Sequence, residues 1–378
     1  MTSRERLLLA LDGKAPDRLP VTTHDMMQSY LDTYQGGIDD QEFFRRFGFD
    51  PVLWVDAIKP DEKQQLAPPS SRMLVTCEEW KVSIKEIENQ QYDTNQYTII
   101  TPKGNLTAIV QSNDYTSWLV ETLIKEKRDI DIIMQYAPFY KADITSINKK
   151  AEAYGDQGII RGTIPSFEIF GQPGCWQDLA CLYGIDKLIY EVFDDPEWVH
   201  TILDFLRARK LHYIHSLAGA AFDIIELGGG DASTTVISPD IFDNFVAPYD
   251  SVLIEAANNI QQNIVYHTCG GMMPILENIV EMGPKAVETL TPSGMGGDVN
   301  LYEAKRRVGD KVCLIGGFDQ GYYFTKATPT ETYNAVKDAF NAAGKNGGFI
   351  ISPSDHFFEA KDELLEAFTE AAKSCLYY

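Results

Sequence analysis

The chain has 378 residues, of which 44% are hydrophobic, and carries a formal net charge of −22 at pH 7. This acidic excess repels nucleic-acid backbones and anionic lipid headgroups, so we expect neither a nucleic-acid-binding nor a membrane-binding protein. No apolar run reaches the roughly 18 residues that a membrane span requires, and no signal peptide is recognisable, which together favour a cytoplasmic protein with reduced cysteines.

The first part of the chain predicts a helix followed by two short strands. Thr2 or Ser3 can cap a helix over residues 4–11, because both residue types bond the free amide groups of a first helical turn. Residues 17–23 predict the first strand and residues 51–55 the second.

The region from residue 72 to residue 120 has a different character. Apolar and polar side chains alternate on both sides of a strong turn signal, Pro102-Lys103-Gly104-Asn105. This pattern predicts an antiparallel β-meander that is inserted into the main fold.

From about residue 130 the chain alternates between predicted helices and strands. With the two early strands this gives eight βα units, which indicate a single α/β domain over residues 1–378, a TIM (β/α)8 barrel. A doubly wound sheet is the competing topology, but no Gly-x-Gly-x-x-Gly motif follows the first strand. The later strands are predicted at residues 158–163, 223–226, 264–268, 286–290, 312–316 and 348–352, and the clearest helices at residues 196–218, 239–259 and 329–343.

Functional residues of a TIM barrel lie at the carboxyl ends of its strands. Polar side chains of this chain are concentrated at or just after the ends of the predicted strands. These candidates are His24, Asp56, Glu226, Asp231, His267, Cys269, Glu288, Asp319, Asp355 and His356.

The pair His267-x-Cys269 is the most specific of these features. Residues two apart on a strand point to the same side, so the imidazole and the thiolate converge as Zn²⁺ ligands do. A third ligand can come from Asp355 or His356, and Glu226 or Glu288 can supply a fourth that a substrate displaces. Structural roles are the alternative: Asp355 and His356 can cap a helix, and the glutamates can form ion pairs.

Short motifs are spread along nearly the whole chain. They are Ser3-Arg4-Glu5-Arg6, Pro16-Asp17-Arg18, Thr101-Pro102-Lys103-Gly104, Ile237-Ser238-Pro239, His267-Thr268-Cys269-Gly270 and Gly316-Gly317-Phe318-Asp319. These motifs resemble those of the uroporphyrinogen decarboxylase superfamily. The resemblance implies a TIM barrel, but true decarboxylases of that superfamily carry an arginine-rich segment where residues 23–30 of this chain contain no arginine.

The chain more closely resembles the methylcobamide-dependent methyltransferases of this superfamily, whose His-x-Cys motif and a later cysteine bind zinc. That resemblance implies Zn²⁺, a partner corrinoid protein that carries cobalamin, a methoxylated substrate such as an aromatic methyl ether, and an O-demethylase component that can form homodimers. The later cysteine is absent here, since the matching loop is Pro353-Ser354-Asp355-His356.

Three other functions stay open at this point. They are methyl transfer from methylcobamide to a thiol, decarboxylation without a metal, and a binding role without catalysis. For the zinc-dependent methyltransferase we assign Glu226, Asp56 and Glu288 to catalysis. We assign His24, Asp231 and Asp319 to cofactor contact. The metal ligands are assigned as His267, Cys269, Asp355 and His356.

Overall fold

The computed structural model of the chain describes residues 1–56, 58–66, 75–167 and 173–377. The strands in these residues are β1 (Val52–Trp54), β2 (Ile58–Lys59), β3 (Gln65–Leu66), β4 (Val75–Thr76), β5 (Lys81–Glu86), β6 (Asp93–Thr101), β7 (Gly104–Ser112), β8 (Ser117–Glu121), β9 (Lys141–Ala142), β10 (Ile159–Thr163), β11 (Ile224–Gly228), β12 (Ile264–His267), β13 (Ala286–Glu288), β14 (Cys313–Phe318) and β15 (Phe349–Pro353).

Helices precede, connect and follow these strands, and short 3₁₀ turns adjoin several of them. In the same described residues they are α1 (Ser3–Leu11), α2 (Gln28–Tyr34), α3 (Asp40–Phe47), α4 (Asp129–Tyr136), α5 (Ile144–Tyr154), α6 (Cys175–Tyr183), α7 (Ile185–Asp194), α8 (Pro196–His215), α9 (Pro239–Ile241), α10 (Ala247–Asn259), α11 (Leu276–Glu281), α12 (Leu301–Val308), α13 (Gln320–Tyr323), α14 (Pro329–Ala339) and α15 (Asp362–Ser374).

Seven strands form one parallel sheet in the order β1-β10-β11-β12-β13-β14-β15. Every pair in this sheet is parallel, and the strands from β10 onward follow one another in chain order, as repeated βα units require. The sheet curls into a TIM-barrel-like fold, which confirms the predicted fold class.

The predicted first strand, residues 17–23, is reduced to two isolated bridges, an antiparallel one between Arg18 and Leu376 and a parallel one between Val21 and Ile351. Pro20 has no amide proton, and the Val21 amide donates to the Asp50 carboxylate at 3.0 Å, so a longer ladder cannot form. The segment still joins the two edges of the sheet. The Thr22 amide donates to the Ile351 carbonyl at 3.0 Å on one side, and the Asp50 amide donates to the Val21 carbonyl at 2.7 Å on the other.

The interior of the barrel is layered, because alternate residues of each strand point inward. The lower layer is apolar and is closed by Leu7, Ala10 and Leu11 of α1. Its members from the strands are Val52, Ile159, Ile224, Val265, Ala286, Cys313, Ile315 and Ile350. Two residues further along five of these strands stand Trp54, Arg161, Glu226, His267 and Glu288. A layer of mainly polar side chains therefore lies directly above the apolar one.

The predicted helix over residues 239–259 is interrupted by a π-helical segment, Phe242–Val246, between α9 and α10. Pro248 in the first turn of α10 has no amide proton to donate to the preceding turn, so the helical hydrogen-bond pattern changes there. The predicted helix over residues 329–343 likewise ends as α14 and continues as a π-helical segment, Phe340–Gly344.

The predicted meander is a four-stranded antiparallel sheet in the order β5-β6-β7-β8, as expected from its alternating pattern. Residues 72–74, where the prediction begins, lie outside the described residues. The turn between β7 and β8 carries Tyr115, whose ring lies 5.5 Å from that of Phe358, just beyond β15. The insertion therefore reaches the carboxyl end of the barrel.

No helix in the described residues is both long enough and apolar enough to cross a lipid bilayer.

Candidate metal centre

Four candidate metal-binding side chains meet inside the upper part of the barrel. Glu226, His267 and Glu288 come from β11, β12 and β13, and His24 enters from the loop after the Val21 bridge. One ligand atom from each lies within 4.8 Å of the others. Glu226, His267 and Glu288 are buried, so their charges must be compensated within the protein.

Arg161 of β10 supplies that compensation. Its guanidinium donates to Glu226 Oε2 at 2.6 Å and to Glu288 Oε2 at 2.8 Å, and its carbon lies 4.4 Å from the centroid of the Trp54 ring. Burial disfavours the charged guanidinium, but the carboxylates of Glu288 and Glu226 outweigh it and raise the pKa of Arg161. Burial likewise opposes ionisation of Glu288, yet Arg161 and His24 lower the pKa of this carboxyl to about 2. Both glutamates are therefore anions that this arginine partly neutralises.

His267 is held between a carboxylate and a thiol. Its Nδ1 lies 2.9 Å from Glu288 Oε1, and its Nε2 lies 3.0 Å from the sulfur of Cys269. A carboxylate that accepts the Nδ1 proton leaves Nε2 as the atom that can bind a metal, which is the usual arrangement of histidine ligands in zinc proteins. Burial raises the pKa of the Cys269 thiol, so the thiol must release a proton when it binds a cation.

The loop after β15 brings Asp355 and His356 to the same place. Asp355 interacts with the Cys269 thiol, and the His356 ring lies 5.0 Å from the His24 ring. Burial, followed by the nearby His24, lowers the pKa of His356 and favours its neutral, ligand-competent form. The buried Nδ1 atoms of His24 and His356 have no hydrogen-bond partner among the described residues. Nitrogens left in this way are expected beside an ion, a water molecule or a substrate.

These residues fit zinc best on the Cys269 side of the cluster. Nitrogen, sulfur and oxygen donors from His267, Cys269 and Asp355 are the donor types that Zn²⁺ prefers. Between Glu226 and Glu288, by contrast, a cation would face the existing charge of Arg161. Both glutamates already bond Arg161, and the expectation that one of them supplies a fourth ligand stays a prediction.

The other predicted site residues, Asp56, Asp231 and Asp319, follow β1, β11 and β14. Asp56 is exposed beyond β1, and desolvation, followed by the charges of Asp25 and Glu226, raises its pKa. The Asp231 carboxylate accepts a 2.6 Å hydrogen bond from Gln177, and Asp319 caps α13. Cofactor contacts of Asp231 and Asp319 therefore stay predictions.

Arg161 is the residue that the sequence analysis missed. It is a single basic residue within the strand Ile159-Ile160-Arg161-Gly162-Thr163, four of whose five residues, Arg161 included, are buried. A charged residue in such an apolar strand requires a buried partner of opposite charge. Arg161 could therefore have been predicted from the sequence to pair with a buried carboxylate.

Comparisons with known proteins place this barrel among its relatives. Residues 171–375, more than half of the chain, match the family described as Uroporphyrinogen decarboxylase (URO-D). A solved structure, described as a methyltransferase from Methanosarcina mazei, matches with a TM-score of 0.60 and 15% identity over 99% of this chain and 98% of its own. At that identity the likeness supports the fold alone.

Curated relatives carry the name uroporphyrinogen decarboxylase. The protein from Psychromonas ingrahamii is 23% identical over 51% of this chain and 54% of its own length, and that from Pseudomonas putida is 28% identical over 42% and 43%. The chain thus spans about half the length of the curated relatives it matches. The family match confirms the resemblance found in the motifs, and the chain belongs to the uroporphyrinogen decarboxylase (URO-D) family.

Proposed function

We propose that this chain is a zinc-dependent methyltransferase, which moves a methyl group between a methoxylated aromatic substrate and the cobalamin of a partner corrinoid protein. The observation that carries the proposal is the position of His267, whose Nε2 faces the Cys269 sulfur at 3.0 Å while Nδ1 is fixed by Glu288. A metal-free decarboxylase has no need of a thiol and an imidazole oriented in this way.

The proposed ligands are His267, Cys269 and one donor from the loop of Asp355 and His356. When bound, zinc supplies Lewis-acid polarisation of the ether oxygen, and the partner's cobalamin supplies the methyl acceptor. The proposed metal and substrate lie at the carboxyl end of the barrel strands. The partner corrinoid protein therefore approaches the barrel from that end.

The remaining polar residues orient the site and hold protons. Glu288 is a positioning residue, because it fixes the tautomer and the direction of the His267 ring. His24 Nε2 lies 2.8 Å from Glu226 Oε2, and this pair can hold a proton for the oxygen that loses its methyl group. We assign Asp56, whose pKa is raised by desolvation and by the charges of Asp25 and Glu226, as a second group that exchanges protons at the mouth.

Decarboxylation is the second candidate function, and the names of the curated relatives favour it. A porphyrinogen carries many carboxylates that cationic side chains must neutralise. Arg161, the arginine placed beside the cluster, is already paired with two glutamates. The candidate site is therefore better suited to a neutral ether than to a polyanion.

The deciding measurement is the metal content of the purified protein and of two double variants. We expect about one zinc per chain in the wild type, lost in His267→Ala/Cys269→Ala and retained in the control His215→Ala/Cys77→Ala, which removes the same residue types elsewhere. Methoxylated aromatics and a thiol would then be assayed as partners of a corrinoid protein in its Co(I) and methylated states. Zinc that survives the His267/Cys269 substitution, or no zinc in the wild type, would contradict the proposal.

A further inference from the structure

A second concave site lies at the opposite end of the barrel from the candidate metal centre. It is a cleft of about 710 Å³ next to the start of β14, the end of α12 and the turn before β15. Its volume is within the range of small-molecule sites. We call it the basic cleft, because five cationic side chains line it: Lys285, Lys305, Arg306, Lys311 and Lys345.

The charge of the basic cleft is opposite to that of the whole chain. Only two carboxylates, Asp12 and Asp310, line it beside those five cations, although the chain carries a net charge of −22. Asp12 forms an ion pair of 2.7 Å with Lys285, and so neutralises one of the cations. A cationic cavity on an acidic protein attracts small anions and keeps them in one place.

Helix electrostatics explain part of this charge and leave the rest unexplained. Lys305 and Arg306 lie in the last turn of α12, where cations interact favourably with the helix dipole, and Arg306 also pairs with Glu303 at 2.8 Å. Lys311 and Lys345 lie outside that helix and are exposed, and Lys311 interacts with the Glu277 carboxylate only through a longer-range charge effect, without a close ion pair among the described residues. These two lysines are the cations available to a ligand.

Two further features indicate the kind of anion. The Lys305 ammonium is partly buried and is held by the carbonyl oxygens of Gly347 at 2.6 Å and Gly309 at 3.1 Å, and burial lowers its pKa. An anion bound in the cleft would stabilise the charged form of Lys305 and so compensate for the cost of its burial. Tyr302 lines the same cleft with 61% of its surface exposed, which leaves an aromatic face for a flat ring.

We propose that the basic cleft binds a small phosphate-bearing molecule of about nucleotide size. The proposal does not depend on the function of the candidate metal centre, which lies at the other end of the barrel. Lys311 and Lys345 contact the phosphate groups, and Tyr302 contacts the rest of the ligand. A nucleic acid strand is excluded as the ligand by repulsion from the strongly acidic remainder of the protein.

Isothermal titration calorimetry with inorganic pyrophosphate and with ATP, each without magnesium and at constant ionic strength, tests the proposal. We expect both probes to bind the wild type and to bind Lys311→Glu/Lys345→Glu at least tenfold more weakly. The control variant Lys149→Glu/Lys326→Glu makes the same change of charge at exposed lysines elsewhere and is expected to keep wild-type affinity.

All four substituted lysines are exposed, so each variant is expected to fold, and circular dichroism and the midpoint of urea unfolding verify this. Absence of binding to the wild type at millimolar concentrations of both probes would overturn the proposal. Equal weakening of binding in the two double variants would also overturn it, because net charge alone would then explain the affinity.

Discussion

Replacement of Arg161 by methionine tests whether one guanidinium holds the polar layer together. The substitution keeps a long side chain next to Trp54 but removes the charge that neutralises Glu226 and Glu288. The two buried carboxylates would then keep only the imidazoles of His24 and His267 as compensating partners. Breaking a buried ion pair by removal of one partner costs about 3–5 kcal/mol, so we expect Arg161→Met to lose about 4 kcal/mol of unfolding free energy.

The assay is equilibrium unfolding in urea, followed by circular dichroism. Arg128→Met serves as the matched control, because Arg128 pairs with Glu126 at a largely exposed position, where an ion pair contributes only about 0–1 kcal/mol. The double variant Arg161→Met/Glu288→Gln also removes one of the two carboxylate charges that lose their arginine partner. It should recover about 1–2 kcal/mol of the lost unfolding free energy.

A loss in Arg161→Met no larger than that in Arg128→Met would refute this reasoning. It would mean that the glutamates become protonated, or admit water, at little cost. Failure of Glu288→Gln to recover any stability would show that the loss comes from packing against Trp54 and not from uncompensated charge.

Three further outcomes are expected. Glu288→Gln should weaken zinc binding about 10- to 100-fold in a chelator competition without changing its stoichiometry, because the acceptor that orients His267 is altered; an unchanged affinity would contradict this. Asp250 is buried against Tyr266, and burial raises its pKa from 3.8 to about 6, so the folded state binds the extra proton and stability falls as pH rises between these values. Relative to Asp250→Asn, the wild type should lose about 2 kcal/mol in urea titrations between pH 4 and pH 6 and little more above pH 7; a constant difference would argue against it. Leu7→Ala should cost about 2–5 kcal/mol, measured by urea unfolding, because Leu7 is fully buried in the lower layer; a loss below 1 kcal/mol would indicate that α1 does not close the barrel.

The strand pattern carried most of the information about the fold. Apolar segments such as Ile264–His267 are bounded by loops and separated by helices of ordinary length, so their number and order could be counted. The first strand could not be predicted in detail, because the diversion of the Val21 amide to Asp50 is a tertiary contact. The interruption of the helix before Pro248 could have been predicted from the sequence, since a proline removes one backbone hydrogen bond wherever a helix contains it.

The candidate site was only partly accessible from the sequence. His267 and Cys269 could be paired because they are two residues apart on one strand, and Asp355 could be placed near them by barrel topology. The bond from His267 to Glu288 and the role of Arg161 depend on the stagger between neighbouring strands. The sequence does not give this stagger, so it cannot show which inward-pointing side chains of neighbouring strands lie in the same layer of the barrel.

The closure of the lower layer by α1 has a consequence for folding. Leu7 is synthesised long before Ile350 of β15, which belongs to the same cluster, so the contact joins segments that are far apart in the chain. During synthesis at about 5–20 residues per second, α1 must wait tens of seconds before its last partner strand exists. Until then the inner faces of the strands stay open, and the final docking of α1 is expected to be a late, slow, high-contact-order step.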